Sequence, residues 1–345
     1  MMTKIKFIGL LLISFFHIQY GFGHHVETKI ISELNATLYT IQTLDDTITF
    51  IKTDTNSVCK KPTLLFCQGS LPIPLIIQYE NRWYQFSCFN FDYRKLSEKY
   101  NLIVISTPHV PSVVSDTELN PDGTYPRLPK PFDAAYKQDN YLEKYVQRAN
   151  QVIHYILSQS WADSDSLYVI GHSQGATVGV SIARTNEKVK GLAYLSGDPD
   201  GRFTQKIKNI RKLVYQRKIT PLEARQQLNE LYDWWRDICS GEQEEGNTGD
   251  LPHTWKSFSR SMREILVHLK IPLFMAYGTE DIAASSCELM PIYFELNGKT
   301  DYMIYPVIGC GHNFEEFTDS GQSDYGKMHW QEVIDRFIQY IETQK

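Results

Sequence analysis

The sequence predicts an α/β protein with a mostly parallel central sheet, helices on both faces and a helical cap insertion late in the chain. Three observations predict it. The runs at 63–67, 102–106, 168–170 and 192–196, and those beginning at Pro272 and Tyr302, are apolar almost throughout instead of alternating, as strands buried on both faces are. Helix-compatible stretches, notably 141–160 and 176–184, separate several of these runs. Hydroxyl, carboxyl and imidazole side chains stand in the loops just past three of them, where the carboxyl edge of a parallel sheet gathers residues distant in sequence.

Taken in order, residues 1–23 carry Lys4 and Lys6, then a compact apolar run at 7–16, then Gly21-Phe22-Gly23 as a small-residue cut site. This is the pattern of a signal peptide cleaved near Gly23, so the mature chain, 24–345, is expected in a periplasmic or extracellular compartment. The apolar run is shorter than the ~20 residues that span a bilayer, and no stable membrane span is expected after cleavage. Residues 34–50 alternate apolar and polar around Asp45-Asp46, a leading antiparallel hairpin. The strand 63–67 follows Pro62, and 102–106 is the next strand. Six prolines fall within 108–131, a length that suits a functional surface segment better than a connector. An amphipathic helix at 141–160 leads into the strand 168–170. The chain closes with a helix at 325–343, where Trp330, Val333, Ile334, Phe337 and Ile338 recur at helical spacing.

Chemistry concentrates at Gly171-His172-Ser173-Gln174-Gly175, a G-x-S-x-G pentapeptide between the apolar run 168–170 and the helix-compatible run 176–184. A serine on so tight a strand-to-helix turn is pushed outward, and a Cβ at Gly171 or Gly175 would clash where strand and helix nearly touch. The N–H of Gln174, at the helix N-terminus, then faces charge developing on an oxyanion. Pentapeptides of this kind also occur as plain turns, so the downstream partners matter. Asp281 follows the run that breaks at Gly278, and His312 stands at the tip of the glycine-flanked loop after the run 302–308. Ser173, Asp281 and His312 thus read as nucleophile, acid and base. Asp198 and Asp200, after the run 192–196, are competing acids whose other reading is turn-making, and Glu280 is a further candidate. Upstream, Gln68-Gly69-Ser70 ends the strand 63–67, and the bend that Gly69 permits aims a backbone N–H, that of Ser70, at the carbonyl oxygen beside Ser173.

With these parts in this order the chain resembles the α/β-hydrolase superfamily of serine hydrolases, over about residues 34 to 343. The resemblance implies the α/β-hydrolase fold, with 171–175 as the nucleophile elbow and 68–70 as the oxyanion segment. Many members carry His-Gly where this chain has Gln68-Gly69, so the loop must be held without that histidine. The superfamily identifies machinery and not substrate.

Residues 199–268 form the cap insertion within the domain. Thr220-Pro221-Leu222-Glu223 is a capping box that starts a helix running to about Cys239, and a second helix is expected at 254–269, with 240–250 as an acidic link. Trp234, Trp235 and Trp255 are candidates to line a substrate pocket beneath it, plain packing being the alternative. Arg202, Lys206, Lys208, Arg211, Lys212, Arg217 and Lys218 read as a solvated face or as an attraction for anionic substrates.

Removing 1–23 takes away two lysines and no acid, which leaves 33 basic against 40 acidic residues and a charge of −7, against a nucleic-acid partner. No CxxC or HExxH occurs and the ten histidines are scattered, so neither metal nor cofactor is expected. Six cysteines in an exported chain permit disulfides. Cys67 suits a small buried hydrophobe, and a Cys287–Cys310 bridge would brace the acid and base loops. The partner is therefore a small-molecule or short acyl or peptidyl substrate. Carboxylic-ester hydrolysis through an acyl-serine needs only the parts named, with activity rising through about pH 6.5 to 7 as His312 loses its proton. The alternatives are a prolyl-oligopeptidase-like serine peptidase, an acyltransferase and a non-catalytic binding protein. The 39 residues at 24–62 hold no propeller and no acidic pair for a substrate amine stands out, and an intact serine, base and acid argue against mere binding.

Overall fold

The computed structural model describes residues 25–54, 59–80, 83–131, 134–241 and 249–344. The segment 1–23, read above as a signal peptide, lies outside them, as do residues 242–248 of the acidic link. Among the described residues nine strands form one sheet: β1 (His25–Ile31), β2 (Ala36–Gln42), β3 (Thr47–Thr53), β4 (Lys61–Cys67), β5 (Asn101–Ile105), β6 (Ala162–His172), β7 (Val189–Leu195), β8 (Leu273–Gly278) and β9 (Tyr302–Val307). Their spatial order is β1-β2-β3-β5-β4-β6-β7-β8-β9. The first three are antiparallel, β3 is antiparallel to β5, and every pairing from β5 to β9 is parallel.

The unbroken apolar runs are explained by burial on both faces. Leu65, Ile103 and Val169 point into one core with Val152, Ile153, Val180 and Phe294. Their strand neighbours Leu64, Phe66, Leu102, Val104 and Ile170 point into the other, with Leu96, Trp330, Val333 and Phe337. The helices Leu142–Leu157, Gln174–Thr185, Arg263–His268 and Ala284–Leu296 therefore cover one face, and Tyr93–Lys99 and Trp330–Thr343 cover the other.

The hairpin predicted around Asp45-Asp46 is β2–β3, with Gln42 opposite Thr47. Three expectations are corrected. β1, which the sequence reading left without structure, pairs with β2 along its whole length; an edge strand this exposed has no apolar pattern to betray it. Residues 323–328 form a strand paired with Glu315–Phe317, so the last helix starts at Trp330 instead of 325. The stretch 254–269 is two helices, Pro252–Phe258 and Arg263–His268, because the Met262 N–H and the Ser261 hydroxyl both donate to the Pro199 carbonyl, at 2.7 and 3.0 Å. Between β7 and β8 stand two further helices. Pro221–Ser240 carries the predicted capping box, and Arg202–Tyr215 bears most of the basic residues that were read as a surface face.

Sheet order reverses between β5-β4 and β6-β7, so β4 and β6 flank the crevice where ligands of open α/β sheets bind. Their register, with Cys67 opposite Gly171, continues to set Gly69 level with Ser173.

Candidate active site

β6 ends in a turn that puts Ser173 at φ 56°, ψ −122° before the helix Gln174–Thr185 begins. A serine held in that sparsely populated region costs about 1–3 kcal/mol, which the packing around it must offset. That packing leaves no room for side chains. A Cβ on Gly171 would run into the Gly175 carbonyl, and one on Gly175 would run into the Cys67 carbonyl. The Ser173 N–H is tied to the Leu195 carbonyl at 2.9 Å, so β7 also holds the turn.

The loops after β8 and β9 are stitched to each other by main chain. Thr279 N–H donates to the Val307 carbonyl at 3.1 Å, Glu280 N–H to the Cys310 carbonyl at 2.9 Å, and Gly309 N–H to the Thr279 hydroxyl at 2.8 Å. These bonds brace the two loops in place of the expected disulfide. Cys287 and Cys310 are both buried free thiols, and Cys287 Sγ instead approaches the Gly197 carbonyl at 3.3 Å. Cys67 is half-buried at the end of β4, and burial pushes its thiol up to about 12.

The stitching brings together the three residues that the sequence singled out. His312 Nδ1 lies 2.8 Å from Asp281 Oδ2 and its Nε2 lies 2.9 Å from Ser173 Oγ. Asp281 Oδ1 accepts the Ala283 N–H at 3.2 Å, which fixes the carboxylate. A proton held at Nδ1 by Asp281 leaves Nε2 as the acceptor facing the serine hydroxyl. Burial of the imidazole works against its charge, but the hydrogen bond and charge of Asp281 together with the nearby Glu315 outweigh it, and the pKa of His312 is raised.

Neither competing acid reaches His312. Asp198 is buried against Lys208 at 2.7 Å and its other oxygen accepts the Asp200 N–H at 3.0 Å, the turn-making role. Asp200 takes Arg263 Nη2 at 2.7 Å. Glu280 takes part through its backbone, whose carbonyl accepts Lys212 Nζ at 3.3 Å. Lys208 is accordingly no solvated residue, and Arg202 pairs with Asp250 at 2.7 Å. Both pin the first helix of the insertion.

On the opposite side of the serine, a Cβ built on Gly69 would sit 3.6 Å from Ser173 Cβ and 3.9 Å from Oγ, so the segment 68–70 lies against Ser173. Gln68 Nε2 donates to the Ile105 carbonyl at 3.3 Å and tethers this segment to the end of β5. Gln174 opens the following helix, where the first N–H groups have no partner within the helix.

Two cavities meet at Ser173. One of about 220 Å³ is lined by His312, Trp330, Leu71, Ile73, Asn90 and the 68–70 segment, among others. The other, about 80 Å³, is lined by Ser70, Gln174, Thr177 and Asp198 from the sheet edge and by Arg202, Gln205 and Phe258 from the insertion. The three candidate tryptophans do not line it. Trp234 and Trp255 are buried in a cluster with Phe203 and Ile238, and Trp235 packs on Phe203. Aromatic residues on these helices therefore build the insertion's own core.

Sequence reasoning passed over two residues. His172, the variable position of the pentapeptide, is buried with Nε2 3.0 Å from the His312 carbonyl and its ring edge-on to Trp330. Burial, with the neighbouring His312, lowers its pKa to about 3, so it stays neutral and donates to that carbonyl. Glu315 is buried and accepts the Asn313 N–H at 2.7 Å and the Ser323 hydroxyl at 3.0 Å, closing the loop that carries His312. An isolated glutamate past a strand has no local signal; only its buried position marks it.

No family model matches this sequence, and no curated protein is similar to it in sequence. In structure the chain is similar to acetyl xylan esterase 1 from Thermoanaerobacterium sp. JW/SL YS485, at a TM-score of 0.50 and 13% identity, covering 92% of this chain and 87% of that one. It is likewise similar to the alpha/beta hydrolase GrgF from Penicillium sp. sh18, at a TM-score of 0.50 and 11% identity, covering 89% and 98%. These likenesses and the strand order give the chain the α/β-hydrolase fold.

Proposed function

We propose that the protein is an exported serine hydrolase that cleaves carboxylic esters through an acyl-serine intermediate. The observation that carries this reading is the continuous relay from Asp281 through His312 to the Ser173 hydroxyl. His312 takes the Ser173 proton as Oγ attacks the ester carbonyl. The N–H groups of Gln174 and Ser70 take the developing oxyanion, each such donor being worth about 10²–10³ in rate. His312 then returns the proton to the leaving oxygen, and water releases the acid by the same steps in reverse.

Ester cleavage is preferred to amide cleavage because it requires only these parts. A panel of p-nitrophenyl esters and aminoacyl nitroanilides separates the readings: ester turnover supports this one, and nitroanilide turnover alone moves the assignment to a peptidase. Export rests on Lys4, Lys6 and the apolar run at 7–16. Mass measurement of the protein released by its source cells is expected to place the mature N-terminus near residue 24, and retention of 1–23 would overturn export. No helix among the described residues is long and apolar enough to cross a membrane.

The raised pKa of His312 sets the pH profile. The ring must be neutral to accept the serine proton, so activity rises with pH and its midpoint is expected above the ordinary imidazole value of about 6.5. Glu315→Gln removes one of the charges that raise it and should move the midpoint of kcat/KM to lower pH. A profile that does not move would remove Glu315 from the electrostatics of the site.

A further inference from the structure

We infer that Arg202 is a substrate-binding residue and that the acyl group of the substrate is short and ends in a carboxylate. The inference rests on the serine-hydrolase reading and names the substrate class of that same site.

Direction along the scissile bond comes first. His312 delivers a proton to the leaving oxygen, so the leaving group lies on the His312 side of Ser173. His312 lines the 220 Å³ cleft and is absent from the lining of the 80 Å³ cavity. The leaving group therefore belongs in the larger cleft, with Trp330, Leu71 and Ile73, and the acyl group points into the smaller one.

The smaller cavity limits what the acyl group is. Its 80 Å³ is about half of the ~150 Å³ that takes up benzene in an engineered protein cavity, which suits a short acyl chain. The walls are Ser70, Thr177, Gln205 and Arg202, with Phe258 as the apolar contribution, so a small alkyl group would leave these polar groups without partners.

Arg202 decides the charge. Its guanidinium stacks on Trp255, 4.1 Å from the ring centroid, and Nη2 donates to Asp250 Oδ2 at 2.7 Å, so its plane is fixed before substrate arrives. Among the described residues no other protein acceptor is bonded to it; Nη2 gives one of its two hydrogens to Asp250, and the guanidinium edge turned away from Asp250 keeps a pair of N–H groups of the kind that grips a carboxylate. The one carboxylate in the cavity lining, Asp198, is offset by Lys208 at 2.7 Å. Asp250 offsets Arg202 as Lys208 offsets Asp198, so the net positive charge beside the cavity is that of Lys206, above the same tryptophan at 5.1 Å.

The test compares p-nitrophenyl hemisuccinate with its uncharged isostere p-nitrophenyl succinamate, the rate with Ser173→Ala being subtracted as background. The wild type is expected to favour the hemisuccinate in kcat/KM. Arg202→Gln is expected to lower the ratio of the two by roughly 10- to 100-fold, and Arg202→Lys to restore part of it. A wild type indifferent to the charge, or a Gln variant that slows both esters in equal proportion, overturns the inference and leaves Arg202 as packing for Trp255. If neither ester turns over and Ser173 takes no fluorophosphonate, the hydrolase reading fails separately. Arg202 is then judged by calorimetry with succinate: binding lost in Arg202→Gln supports the site, and absence of binding to the wild type refutes it.

Discussion

Ser173→Ala is expected to abolish labelling by a fluorophosphonate and to lower ester kcat by about 10⁶-fold, the scale seen when the nucleophile of a comparable triad is removed. The reason is geometric. Among the described residues Oγ is the one hydroxyl bonded to His312 Nε2, at 2.9 Å, and the turn that presents it is fixed by the backbone of β4, β7 and the following helix. Alanine at this position keeps the turn's fold and the buried His172 behind it. Thermal unfolding should therefore change little while activity disappears. Persistent labelling in the alanine variant would move the nucleophile elsewhere and with it the whole assignment.

Asp281→Asn has the second largest expected effect, a loss of about 10⁴ in kcat, as a triad asparagine turns the imidazole to the wrong tautomer. Asp281 Oδ2 is the acceptor that keeps the His312 proton on Nδ1, and its other oxygen is anchored by the Ala283 N–H. An asparagine retaining that anchor would present its NH₂ group to Nδ1, draw the proton to Nε2 and leave no base for the serine. The same substitution removes the leading cause of the raised His312 pKa, so residual activity should titrate at lower pH than in the wild type. A loss of less than tenfold would return Asp198 or Asp200 to consideration despite their pairing with Lys208 and Arg263.

The parts of the site written in contiguous residues were legible beforehand. G-x-S-x-G announces its own turn, because glycine is the residue that lets strand and helix touch, and Asp281 and His312 follow apolar runs that glycine interrupts. The parts that depend on distant packing were not. His172 and Glu315 act through the His312 loop, and neither its buried position nor its partners can be read from adjacent residues. The insertion left two readings open for a related reason. Its aromatic spacing is the same whether the rings face a substrate or one another, and its basic residues look solvated until the acids that meet them, Asp198 and Asp250, are placed in space.

By itself the sequence determined the parallel sheet, the strand-to-helix turn at Ser173 and the placing of Asp281 and His312 just past later strands, since periodicity and turn chemistry are local properties of the chain. Tertiary structure alone decided that main-chain bonds and not a disulfide brace the acid and base loops, that the tryptophans pack inward, and that Arg202 stands at the serine. Each of those depends on which distant backbone or charge comes within a few ångströms, and that distance is set by the packing of the whole sheet and its insertion.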